Sequence, residues 1–255
     1  MSDYHPEPYW SKVAAEIGAR EGVNVIAGDD EPYYVHKRIK FLKLLLELDL
    51  VGKHVLEIGP GPGGNLLELS KKNTSRLVGA DISAEMIKIA RSRLPDNVEL
   101  VKTNGTKLPF EDGTFDIVFS ATVLQHNSDD VMMRTLAGEM ARVSRDQVYL
   151  FEQVNSKISG DHLMRARPVP YYASIMEEHG FELAETKMID IVASYYVCGA
   201  IRKGLNPSSR KEGEPLTPFS LFMQRLTLPI TKVLDNVITP QKDLARMRFV
   251  RKKPA

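Results

Sequence analysis

The sequence predicts an α/β fold, a seven-stranded, mostly parallel sheet with helices on both faces, and three observations predict it. Short apolar runs alternate with segments whose apolar residues recur at helical spacing, the pattern of strand–helix–strand crossovers. The stretch HVLEIGPGPGGNLLEL, residues 54–69, switches from strand period to helix period across a Gly/Pro turn. Polar segments follow the strands at Gly59–Gly64, Asp81, Asn104–Thr106, Ala121–His126 and Glu152–Gln153, where sheets of this class hold ligands.

Along the chain, Ile39, Leu42, Leu45 and Leu46 share a helical face over 35–50, and Gly52 follows as a stop. The first strand covers about 53–58, and beyond the turn a helix runs through Leu66, Leu67 and Leu69 to Lys71–Lys72. RLVGA (76–80) is a second strand ending at Asp81, and Ser83 caps a helix bearing Met86, Ile87 and Ala90. Asn97–Val101 is the third strand, FDIVFS (115–120) the fourth and QVYLFE (147–152) the fifth; Ser128 caps the helix that reaches Val143. YYASIMEEHG closes at Gly180, a residue type suited to a left-handed helix end. FELAETKMIDIV is the sixth strand and MRFVRK the seventh. Residues 193–243 between them exceed any hairpin loop and place Phe219, Phe222, Leu226, Ile230, Val233, Leu234 and Val237 at helical spacing, bent at Pro229.

The 255 residues read as one domain, with an N-terminal lid and helix over 1–50, a ligand-binding core over 51–153 and a second half over 154–255. Lysine plus arginine (34) nearly balances aspartate plus glutamate (33), so charge gives no reason to expect a nucleic-acid partner. Cys198 is the sole cysteine, which excludes an intramolecular disulfide and fits a reduced, cytoplasmic setting. MSDYHPEPYW lacks the features of a secretory signal, and no segment is apolar enough to span a bilayer. The histidines form no H-E-x-x-H or carboxylate-rich cluster, so no metal is predicted.

Gly59, Gly61 and Gly64 satisfy the G-x-G-x-x-G pattern of a dinucleotide site. Glu57, however, ends the first strand beside that turn, where a carboxylate repels a pyrophosphate but attracts a cationic amino group. The glycines allow close backbone approach, and Pro60 and Pro62 restrict the turn. Asp81 stands near the offset at which an acid meets a ribose hydroxyl, a contact that either kind of nucleoside offers. A nicotinamide oxidoreductase therefore stays open on the glycine pattern and the acid at the end of the second strand.

The segments VLEIGPGPGG (55–64), VGADISAEMI (78–87), NGTKLPFEDGTFDIVFS (104–120) and ATVLQH (121–126) together resemble the class I S-adenosylmethionine-dependent methyltransferases, in their small-molecule branch. The resemblance implies a Rossmann-like fold, S-adenosyl-L-methionine as methyl donor with S-adenosyl-L-homocysteine as product, and a cofactor-binding core over 51–153. By it, Glu57, Gly59, Pro60 and Gly61 line the methionine side, Asp81 binds the ribose, and Ile82 or Met86 flanks the adenine. Asn104 stands where many relatives carry an Asp that accepts from the adenine amino group, with Gly105 and Thr106 beside it and Thr122 in the fourth-strand loop. The implied acceptor is a small molecule, most readily an oxygen of a sugar or secondary metabolite; nitrogen, sulfur or carbon acceptors and a non-catalytic cofactor-binding protein are the alternatives.

Methyl transfer from a sulfonium is an in-line displacement that needs alignment and exclusion of water. His126, at the fourth strand's end, is the candidate base or acceptor contact. Glu152 and Gln153 could reach the same cavity, and Tyr4, Tyr9, Trp10, Tyr33 and Tyr34 form an aromatic segment able to fold over a cation. The 193–243 insertion reads as a helical cap on the acceptor side in preference to a membrane helix, because Asp235 and sparse basic charge give little attraction to anionic lipid. A homodimer is left open.

Overall fold

The computed structural model describes residues 6–18, 31–209, 215–238 and 243–253. Tyr4, one of the aromatic candidates, lies outside them. In chain order the elements are α1 (Pro6–Gly18), α2 (Pro32–Leu46), β1 (His54–Ile58), α3 (Gly64–Leu69), β2 (Arg76–Asp81), α4 (Ala84–Arg91), β3 (Val98–Lys102) and β4 (Phe115–Ala121). They continue as α5 (Asp130–Val143), β5 (Ser144–Val154), β6 (Ser159–Gly160), β7 (Arg165–Ala166), α6 (Val169–Glu178), β8 (Phe181–Met188), α7 (Val192–Gly204), α8 (Pro218–Asp235) and β9 (Asp243–Arg251). Where the sequence reads as one domain, the contacts divide the chain into two compact units, Met1–Gly18 with Asp49–Met188 and Lys242–Ala255, and Ala19–Leu48 with Ile189–Gln241.

The first unit holds a seven-stranded sheet of order β3-β2-β1-β4-β5-β9-β8. Neighbours from β3 to β5 pair in parallel, whereas β9 is antiparallel to both β5 and β8. β1 and β2 are buried at every position but the first, which accounts for their unbroken apolar runs: helices cover both faces of a parallel sheet. Val118, Leu150, Met247 and Phe249 of the sheet join Met133 and Met140 of α5 and Tyr172 and Met176 of α6 in the main core. Gly79 on β2 permits a close approach, because a Cβ there would come within 2.6 Å of Leu66 on α3 and 2.9 Å of Pro60 in the turn. The sequence pattern does not foresee the two-residue β6–β7 hairpin.

Three boundaries differ from the sequence reading. The helix after β4 is capped by Asp129, whose carboxylate accepts from the amides of Val131 and Met132. Ser128 is displaced as cap because an ionised carboxylate one residue later serves two orphan N–H groups at once. The sixth strand stops at Met188, and the residues after it enter α7 at Val192 instead of extending the sheet. α2 starts at Pro32, a residue preset for the first helical turn.

The second unit contains α2, α7 and α8. On α8 the buried positions are Ser220, Gln224, Leu228, Thr231 and Asp235, mostly polar, while the apolar residues at helical spacing point to solvent. The buried polar groups are tied inside the unit. The Asp235 carboxylate accepts from the Ser194 amide at 3.0 Å and from the Ser194 hydroxyl, and His36 Nε2 lies 3.2 Å away from it. The Ser194 hydroxyl also lies 2.9 Å from Thr231 Oγ1.

Candidate active site

The turn between β1 and α3 is built on left-handed glycines, with φ of 64° at Gly59, 53° at Gly61 and 86° at Gly63. The Gly59 amide donates to the Ala80 carbonyl at 2.8 Å, and the Gly61 amide donates to Asp81 Oδ2 at 3.0 Å, so the turn is fastened to the end of β2. A Cβ on Gly59 would sit 2.6 Å from Val123 Cγ2, leaving no room for a side chain between the turn and the β4 loop. A Cβ on Gly61 would meet nothing within 4 Å, so this backbone faces open space that a ligand can enter.

Two carboxylates flank the turn. Glu57 is fully buried, and its Oε1 accepts from Asn65 Nδ2 at 2.6 Å. Asp81 is 5% exposed; its Oδ1 accepts from the Ser83 amide at 2.8 Å while Oδ2 holds Gly61. Burial pushes the Asp81 carboxyl above the ordinary range, and the Ser83 and Gly61 amides oppose that shift by favouring the charged form. No side chain of residues 59–64 is basic. The set is suited to an ammonium and to ribose hydroxyls and unsuited to a pyrophosphate.

After β3, the expected adenine contacts separate. Asn104 Oδ1 accepts from the Thr106 amide, the Thr106 hydroxyl and the Lys107 amide, each at 3.0 Å. The reading of that carbonyl as acceptor for an adenine amino group is therefore corrected: three donors of its own loop take it, because they lie two and three residues on. Ile82 packs against Gly105, where an added Cβ would come within 2.8 Å of its Cδ1. Met86 is 2% exposed and packs with Ala14 and Ile17 of α1, so it supports the N-terminal helix instead of flanking a base.

The β4 loop is held from below. Thr122 takes φ of 58°, a costly conformation for a β-branched residue, and its amide donates to the Phe151 carbonyl at 2.7 Å. Glu152 does not open onto an acceptor cavity as expected. It is fully buried, and its carboxylate accepts from Ser120 Oγ at 2.8 Å and from the amides of Val123, Leu124 and Gln125 at 3.1–3.2 Å. Burial raises its pKa, and those four donors counter the shift. Gln153 meets the loop through its backbone, its amide donating to Gln125 Oε1 at 2.8 Å.

His126 occupies the next position of the loop. Its Nδ1 donates to the Leu163 carbonyl at 2.9 Å, which leaves Nε2 as the acceptor of the neutral ring, 3.3 Å from Gln125 Nε2. Burial lowers its pKa below the ordinary 6.5, partly offset by the bond to Leu163, so the ring is held in its basic, neutral form. Trp10 of α1 meets it edge to face at 5.0 Å between centroids, and Tyr9 meets Trp10 at 5.2 Å. The structure thus brings Trp10 and His126 together. Tyr33 and Tyr34 belong to the second unit, where Arg202 lies over both rings.

Arg167 is fully buried. It donates to the carbonyls of Leu124 and Asn127 and pairs with Asp130 at 3.1 Å. Asn65 and Val123 are residues of this region that sequence patterning does not single out. Among the described residues no group of three His, Cys, Asp or Glu side chains could hold a metal ion, and no helix is long and apolar enough to cross a membrane.

Residues 55–147 match the methyltransferase domain family. The ubiquinone/menaquinone biosynthesis C-methyltransferase UbiE of Pseudomonas fluorescens is 34% identical over 114 residues, 40% of this chain and 44% of that protein. The demethylmenaquinone methyltransferase of Corynebacterium kroppenstedtii is 38% identical over 127 residues, 46% of this chain and 52% of that protein. The chain thus spans about half the length of these curated relatives. In structure it is similar to magnesium protoporphyrin IX methyltransferase from Synechocystis PCC 6803 with bound SAH, at TM-score 0.61 and 13% identity over 96% of this chain and 98% of that one. Residues 55–147 thus match a methyltransferase domain, and the chain has the fold of the class I S-adenosylmethionine-dependent methyltransferases.

Proposed function

We propose that this protein transfers a methyl group from S-adenosyl-L-methionine to a small-molecule acceptor. The observation that carries the reading is the pair of buried carboxylates, Glu57 and Asp81, on either side of a glycine turn that has no basic side chain. Glu57 would attract the ammonium end of the donor, directly or through water, and Asp81 would accept from the ribose hydroxyls. Gly59 and Gly61 give the close backbone approach that any side chain would block. Ile82 and Gly105 would form the apolar wall at the base.

When bound, the donor supplies an electrophilic methyl on a sulfonium. The chain's own task is to align the acceptor and exclude water. Trp10 would close over the loop, and His126 Nε2 would take the acceptor's proton, with Leu163 fixing the tautomer that makes this possible. For the acceptor atom we take carbon ahead of the oxygen that the sequence suggests, because the UbiE relative is named a C-methyltransferase.

Calorimetric titration of the full chain is expected to show S-adenosyl-L-homocysteine binding without comparable NAD or NADP binding; the reverse would overturn the proposal. Transfer of labelled methyl from the donor to a metabolite extract then separates an enzyme from a non-catalytic cofactor binder. Analysis of the labelled product distinguishes carbon from oxygen as the methylated atom.

A further inference from the structure

We propose that α8 lies in the plane of an anionic lipid surface and docks the protein there through its apolar face. Phe219, Phe222, Leu226, Ile230, Val233 and Val237 recur along one side of the helix and its extension, and each is 56–77% exposed. A stripe of this length, about 27 Å at the helical rise, suits a helix lying along an interface. The opposite face is the polar one, and it is buried.

That inversion is fixed by hydrogen bonds. Rotating α8 to bury its apolar side would break the ties of Asp235 to Ser194 and His36, of Thr231 to Ser194, and of Ser220 to Asn206. These ties hold the apolar face away from the interior of the helical unit.

Charge selects the occupant. The exposed charges of α8 are Arg225 and Lys232, both basic, and its one acid is the buried Asp235. The acid that argues against lipid in the sequence is thus hidden from it. Lys40 adds a third cation at the helix end, 3.0 Å from Asn236 Oδ1. Basic flanks beside an apolar face match anionic headgroups above acyl chains. α7, which packs along α8, exposes Tyr195 and Tyr196, a residue type favoured at headgroup depth. A second copy of the chain is a poorer occupant: antiparallel pairing centred on the stripe would set Arg225 level with a second Lys232, and like charges at an interface are repulsive.

The inference stands independently of the methyl-donor reading, and its test reads binding alone. In flotation assays the full chain is expected to rise with phosphatidylcholine vesicles containing phosphatidylglycerol and to stay behind with pure phosphatidylcholine. The double substitution Leu226→Glu, Ile230→Glu should lower partitioning about ten-fold or more, since two exposed anchors are lost without touching the buried face. Arg225→Glu with Lys232→Glu should weaken binding in low salt; this second variant leaves the apolar stripe intact, so it reads the charge contribution should the first fail to fold. Equal flotation with both vesicle types, no flotation at all, or a dimer in light scattering that Leu226→Glu converts to monomer would overturn the proposal.

Discussion

At the residue scale, Asp81 anchors Gly61 and Ser83, and in the proposed site its remaining lone pairs would accept from the ribose hydroxyls. Asp81→Asn is expected to weaken S-adenosyl-L-homocysteine binding by about 1–3 kcal/mol in a calorimetric titration, through loss of charge-assisted hydrogen bonds. Unchanged affinity would remove Asp81 from the site. For His126, the ring that can take a proton is the neutral one, and burial favours it. Activity should therefore persist as pH falls past 6.5 and be lost only below it, at the depressed pKa of the ring, while His126→Ala should cut turnover and leave cofactor affinity nearly intact. The placement of Glu57 and Asp81 on either side of the glycine turn was legible, because both stand at the ends of strands that border that turn. Asn104 was misread because spacing alone cannot tell whether an amide carbonyl faces a ligand or the N–H groups of its own loop. Met86 was misread for a related reason: helical spacing marks a buried face without saying what covers it.

At the scale of elements, the loop after β4 is set by one side chain from β5. Glu152 gathers three successive amides and a hydroxyl, so the loop that carries Thr122 and His126 is positioned by a buried charge. In Glu152→Gln an amide nitrogen would have to face at least one of those N–H donors. A loss of about 2–3 kcal/mol in urea-denaturation stability follows from the unpaired buried group, and a stability change near zero would contradict this role. Strands β1, β2 and β4 were legible from their apolar runs, and α4 from its serine cap. The helical spacing of α8 was equally plain, yet the direction of its apolar face was not, because periodicity is identical for a helix and its inside-out version. Only the partners of Ser220, Thr231 and Asp235 decide it, and those lie on other helices.

For the whole molecule, the mostly parallel sheet follows from alternating strands and helices, but the strand order and the division into two units do not. The second unit is assembled from segments on both sides of the sheet's sequence, and no local pattern signals that residues near 36 meet residues near 235. The same meeting makes stability depend on acid. Burial lowers the His36 pKa below 6.5, Asp235 opposes that shift, and Lys232 and Lys40 reinforce it. The folded state thus favours the neutral ring, and its contribution is complete above the ordinary histidine pKa and drains away as pH falls toward the lowered one. Denaturation midpoints should drop between about pH 7.5 and about pH 5.5, and His36→Gln should flatten that slope; an unchanged slope would show that another group governs it. A last consequence concerns biosynthesis. Among the described strands β9 is synthesised after all the others, yet its lane is an interior one between β5 and β8. Until residues 243–251 emerge, the nascent polypeptide carries two raw margins that only this late arrival can seal, and translation without chaperones should yield aggregates from that interval.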